Sequence, residues 1–307
     1  MPLSDLALGN QLLQQVPNPF YGLITTPGSP LSQTTVSYNQ LLRPFPQYTG
    51  VTGFRKPQGE SKYNAFTAKL DTRSFHGLSL LAAFTAAKTT SNSAASVTYL
   101  GPTSGTFANA YAPQNEWSLD PADLSHTFVV SYTYELPVGH GKAVLGNAGA
   151  FANGILGGWQ TQGIVTWNSG TPLVLAAVNN QTQIFTFSQR PDWNGQDAKV
   201  SNPTHSKWFN TSVFSQPGPF TIGNAPRTIP NVRTPGYNNF DLSLFKNVRF
   251  GNGERYNAQF RAELFNAFNH PLWGGPDMNV NDSTFGVISG GPINSSRQMQ
   301  LAVKFNF

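Results

Sequence analysis

Apolar and polar residues alternate at the end of this chain. Met299, Leu301, Val303, Phe305 and Phe307 share one parity, and Gln298, Gln300, Lys304 and Asn306 share the other. Successive side chains of a β-strand point to opposite faces, so a strand here presents one oily side and one wet side. Six further segments carry the same period. Residues 63–75 and 78–88 flank His76-Gly77, a connection of hairpin length. In 126–136 the residues Phe128, Val130, Tyr132, Tyr134 and Leu136 oppose Thr127, Ser131, Thr133 and Glu135. In 157–169 Trp159, Val165 and Trp167 share a face. Phe240, Leu242, Leu244, Val248 and Phe250 share another, and Tyr256, Ala258, Phe260, Ala262 and Leu264 follow the turn signal Gly251-Asn252-Gly253-Glu254.

The connections alternate between short (76–77, 137–156, 251–255) and long (89–125, 170–237, 267–296). Such asymmetry predicts a barrel with periplasmic turns and extracellular loops, in which the last strand runs toward the periplasm. The final segment fits this scale, since eleven residues tilted about 45° cover roughly 25 Å of apolar thickness. Phe260, Ala262 and Leu264 are then expected to face lipid, with Gln259, Arg261 and Glu263 facing the lumen. Arg297 falls at the outer interface, where its stem can snorkel. Lys246 is the exception, a cation on the apolar parity near the 251–255 turn, within reach of an interface.

Composition narrows the classes. Charged residues are 11% of the chain against roughly 25% in soluble domains. Aromatics reach 13%, mean hydropathy is -0.28, and no apolar run approaches the roughly 20 residues of a membrane helix. A membrane location therefore requires a closed barrel, because exposed backbone groups are not tolerated in hydrocarbon. The chain has no cysteine, which excludes disulfides and thiolate ligands. Its net charge of +5 is spread thinly without a basic run, so no nucleic-acid partner is expected.

No catalytic constellation stands out. His76, His126, His140, His205 and His270 are scattered, and Gly101-Pro102-Thr103-Ser104-Gly105 has one residue too many for a nucleophile elbow. No enzyme activity, cofactor or metal is expected. The candidate ligand contacts are Tyr111 and Trp117 in one long loop, Trp193 and Trp208 in the longest, and the lumen-facing pair Arg261 and Glu263. Loop aromatics of this kind stack on a sugar or other flat ligand, or else pack the loop against itself. Phe209, Phe214 and Phe220 belong to the same set.

Three phrases add a resemblance: 236–247 (GYNNFDLSLFKN), 260–271 (FRAELFNAFNHP), and Gly157-Gly158-Trp159-Gln160 leading to Asn168-Ser169-Gly170-Thr171-Pro172. Together with Asn18-Pro19-Phe20-Tyr21-Gly22 and Leu41-Leu42-Arg43-Pro44-Phe45-Pro46 they resemble the C-terminal barrel of TonB-dependent receptors, the Oar-like receptors of acidobacteria in particular. The ending Met299, Leu301, Val303, Phe305, Phe307 is similar to the C-terminal signal by which outer-membrane barrels are recognised for assembly. The resemblance implies an all-β, antiparallel transmembrane barrel, here partial, with about 7 to 10 strands of a 22-stranded wall and long extracellular loops. It divides 1–307 into mostly loop (1–62) and strands with loops (63–307). The implied function is TonB-dependent uptake of a bulky nutrient, an oligosaccharide or metal chelate, in the bacterial outer membrane. Outer-membrane lipid, the barrel assembly machinery, an N-terminal remainder with the plug, and the TonB system through that remainder are the implied partners. No signal peptide or plug is recognisable, so the rest of a receptor is expected upstream of Met1. The competing expectation is a soluble carbohydrate-binding β-sandwich, separable by detergent dependence.

Overall fold

The computed structural model describes residues 1–307 except 52–58, 93–96, 99–100, 103–107, 109–112, 183–188 and 251–255. Seven long strands dominate: β1 (Ser61–Phe75), β2 (Leu78–Ser91), β3 (His126–Glu135), β4 (Trp159–Asn168), β5 (Tyr237–Phe250), β6 (Tyr256–Phe265) and β7 (Gln298–Asn306). Each pairs antiparallel with its sequence neighbour, so chain order and spatial order are identical. All seven fall on the segments marked by alternation, with β1, β2 and β5 extending a few residues further. A short strand, Ser118–Leu119, adds to the outer end of β2. Among the described residues all seven long strands belong to this one sheet and every other sheet has only two short strands, which is not the arrangement of a sandwich. Among the described residues β1 and β7 are the unpaired edges of an open wall.

The register aligns the parities of all seven strands. Leu80, Tyr132, Gly163, Leu242, Leu264 and Met299 form one cross-strand row, and Ser79, Thr133, Gln162, Ser243, Glu263 and Gln300 form the adjacent row on the other side. A slip of one residue in any pair would invert that strand. At the first hairpin His76 and Gly77 both adopt positive φ, 50° and 82°, the two-residue geometry that suits strand twist. Gly163 is required for packing: a Cβ there would lie 2.7 Å from the Tyr132 ring and 2.9 Å from Leu242, which close over the gap from both sides.

Little of the core lies in the wall. The main buried cluster is Leu173, Leu175, Ala198, Phe209, Val213, Phe214, Ile229 and Val232, all from the 169–236 connection, with Met278, Val280 and Phe285 packed on from 266–297. Two long loops thus fold together above the sheet. The first sixty residues, expected to be mostly loop, hold a 3-10 run (Leu3–Leu13) and a ribbon pairing Gln15–Pro17 with Thr35–Ser37, pinned by Asn18 Nδ2 on the carbonyls of Leu31 and Gln33. The 137–156 connection is no simple turn either, since it contains the helix Ala150–Leu156. The turn 251–255 and Tyr111 lie outside the described residues.

Candidate functional site

The two faces of the wall differ in chemistry. On the apolar face Phe66, Leu70, Phe128, Trp167, Leu244, Phe260, Leu301 and Phe305 are exposed, Leu301 by 75%. So many exposed large apolar side chains on one face are a liability in water and the requirement for contact with lipid. Aromatic rings sit at both ends of this band. Phe84, Phe128, Trp167 and Phe240 lie toward the long loops, and Tyr134, Trp159, Phe250 and Tyr256 lie toward the short connections. Phe240 and Phe250 are ten positions apart on β5, about 33 Å along the strand and roughly 23 Å across a bilayer at 45° tilt, which matches the expected band.

The opposite face is polar. Arg261 Nη2 lies 3.1 Å from Glu263 Oε1, and the Arg261 guanidinium rests 5.7 Å over the Phe245 ring. Asn247 Oδ1 accepts from Gln259 Nε2 at 3.0 Å, and Asp241 Oδ1 accepts from the Asn266 amide at 2.9 Å. Leu81, Val129 and Ile164 interrupt this face. They surround Ser131, which pairs with Leu81 on one side and Ile164 on the other, and all three are exposed.

Beyond the long-loop end, three arginines of the 169–236 loop reach into the 92–125 loop. Arg190 pairs with Glu116, which is 2% exposed. Arg227 Nη2 donates to Ser91 O at 2.5 Å and Ser91 Oγ at 2.7 Å, and its Nε donates to Glu116 O at 3.3 Å. Arg233 holds Asp123, 1% exposed, through Nη2 to Oδ2 at 2.5 Å, while its Nη1 donates to the carbonyls of Asp123 and Gly170. Burial lowers the Arg227 guanidinium from its ordinary pKa, partly opposed by nearby Asp120. The result is a cap of three loops, cemented by an apolar core and a buried ionic seam.

The cap separates the sequence-based candidates. Trp193 stacks on Phe214 with centroids 6.4 Å apart and donates to Gln196 O, while Trp208 donates to Arg233 O at 2.7 Å. Both pack against the loop core. Trp117 is partly exposed beneath Lys62, whose Nζ lies 5.3 Å from the ring centroid. Arg261 and Glu263 are together on the inner face, apart from these tryptophans. Arg190, Arg227 and Arg233 were not candidates from sequence. Their only signal was the presence of loop acids Glu116 and Asp123 in a chain with 14 acidic residues. Lys246 keeps its place on the apolar parity opposite Phe260 and Trp159, yet is only 7% exposed.

A consecutive antiparallel meander, apolar outside between two aromatic rims and polar inside, defines a wall of the outer-membrane β-barrel class. The chain belongs to the outer membrane beta barrel domain family, whose pattern it matches over residues 6–300. It is accordingly a protein of the outer membrane. No curated protein and no solved structure matches it.

Proposed function

We propose that this chain builds part of the wall and the extracellular cap of a TonB-dependent receptor of the Oar-like type, serving energy-coupled uptake of a bulky nutrient, an oligosaccharide or a metal chelate. The observation that carries this reading is the cap. Its loops are fastened to one another by a core and by arginines that hold buried carboxylates, an ordered surface for gripping a ligand rather than a set of independent tethers. Two features support it. The uncovered apolar patch Leu81, Val129 and Ile164 on the inner face suits a wall packed against a luminal plug. The unpaired edges of β1 and β7 call for further strands, since an open edge in hydrocarbon leaves backbone groups unsatisfied at several kcal/mol each. A 22-stranded receptor barrel would supply them. In this reading the chain carries out no chemistry. Trp117, Arg261 and Glu263 are offered as ligand contacts, with Tyr111 as a fourth. Its partners are outer-membrane lipid, the assembly machinery, a plug-bearing remainder and, through that, TonB.

Uptake measured in the native cell tests this. Deleting the gene should abolish accumulation of at least one labelled probe from a set of maltodextrins, xylo-oligosaccharides and ferric chelates, and a protonophore should do the same to the wild type. Uptake that depends on the gene but not on energy would leave a passive pore instead.

A further inference from the structure

The connection between β3 and β4 is an unusual periplasmic turn. Residues 137–158 contain a single charged residue, Lys142, and no acid. Their large apolar side chains are not buried: Val144, Leu145 and Leu156 are exposed, Ile155 is 53% exposed and Phe151 84%. An aqueous turn gains nothing from this composition. The position of the helix Ala150–Leu156 supplies the explanation. Trp159 Nε1 donates to Ile155 O at 2.9 Å, and Lys246 Nζ donates to the carbonyls of Gly154 (2.6 Å), Ile155 (3.1 Å) and Gly157 (2.6 Å). Trp159 and Lys246 face each other across the β4–β5 ladder, on the same face as Phe260 and Val303. The end of the helix is therefore fastened to the lipid side of the wall, at its periplasmic rim.

We propose that residues 137–158 form a foot that lies in the phospholipid interface of the inner leaflet, with Phe151 and Ile155 in the acyl boundary and Lys246 as the residue that holds it there. This rests on the barrel reading. The last carbonyls of a helix lack partners within it and carry partial negative charge, while Lys246 on the lipid face has no acid beside it among the described residues. Each satisfies the other: the ammonium caps the carbonyls, and its charge is shielded from hydrocarbon. The Trp159 ring, 5.6 Å from Nζ, adds a cation–π contact. Lipid is the occupant because the helix is tied through Trp159 and Lys246 to the apolar face of the wall, so that its exposed side chains adjoin the lipid-facing band, while the one charge of the segment, Lys142, is taken up by Glu135 (Nζ to Oε2, 3.5 Å) on the inner parity.

The absence of native cysteine makes the test clean. Phe151→Cys, Ile155→Cys and Leu301→Cys, each made singly in the full chain, are spin-labelled and inserted in vesicles of phosphatidylethanolamine and phosphatidylglycerol. Collisions with oxygen and with a water-soluble nickel chelate are then compared. Labels at 151 and 155 should be oxygen-favoured, as at 301. Nickel-favoured labels at 151 and 155 with an oxygen-favoured label at 301 would overturn the foot and leave the barrel standing, whereas a nickel-favoured label at 301 would overturn the barrel and the foot with it. Adding Lys246→Met should invert the preference at 151 while leaving 301 unchanged. An unchanged preference at 151 would remove Lys246 from its holding role.

Discussion

Glu116→Gln should loosen the extracellular cap while leaving the wall in the membrane. Glu116 is 2% exposed and accepts from Arg190 and from the Ala108 amide, at 3.0 Å for the latter. The amide keeps one acceptor but turns an NH2 group toward a guanidinium, so a largely covered Arg190 loses its counter-charge. Breaking one side of a buried ion pair costs about 3 to 5 kcal/mol, because the surviving charge is left uncompensated. At 1.4 kcal/mol per decade, cap opening should become roughly 10² to 4 × 10³ times more frequent. Hydrogen exchange in native-like membranes reads this directly. Amides of the seam, those of Thr171, Thr234 and Asn194 among them, should exchange faster by that factor, while β3 to β6 should not change. Replacing both partners, Glu116→Leu with Arg190→Met, should restore most of the protection, since an apolar pair of similar volume is often neutral or better. Uniform acceleration across loops and strands, or no acceleration at all, would refute the idea that this seam holds the cap independently of the wall.

Other outcomes follow from the two faces and the loop core. Ala262→Arg, on the lipid side, should cost the inserted barrel about 2 to 4 kcal/mol by urea titration in lipid, whereas Ser243→Arg on the inner face should leave the midpoint almost unmoved; equal shifts would mean the faces are misassigned. Gly163→Val forces the Tyr132 ring and Leu242 apart and should lower stability by about 1 to 3 kcal/mol in the same titration, with Gly163→Ala milder. Truncating Phe307 should reduce surface levels in cells far more than Trp208→Ala, which damages only the cap; similar levels would remove the C-terminal residues from an assembly role.

The strands were legible because a lipid-facing wall enforces period two along its whole length and tolerates few exceptions. Phe128 to Tyr134 and Met299 to Phe305 show it without help from context. Strand order was equally accessible, since connections of two residues at 76–77 and five at 251–255 leave antiparallel neighbours as the only geometry. The cap was not legible. Arg190, Arg227 and Arg233 are scattered over more than forty positions and meet Glu116 and Asp123 only through the fold of two loops, with no local period to expose them. Trp193 and Trp208 looked like ligand platforms for the same reason, as nothing in their neighbourhood reveals that Phe214 and the Arg233 carbonyl await them. Lys246 appeared as a violation of its strand because its solution, the end of the helix Ala150–Leu156, lies about ninety positions earlier in the chain.

A single-cysteine spin-label scan along β6 from 258 to 264 in phospholipid vesicles separates the side of this sheet that meets lipid from the side that meets water. The oxygen-to-nickel collision ratio should oscillate with a period of two, high at Phe260, Ala262 and Leu264 and low at Gln259, Arg261 and Glu263. A ratio that is low throughout, or an oscillation of opposite phase, would contradict that division.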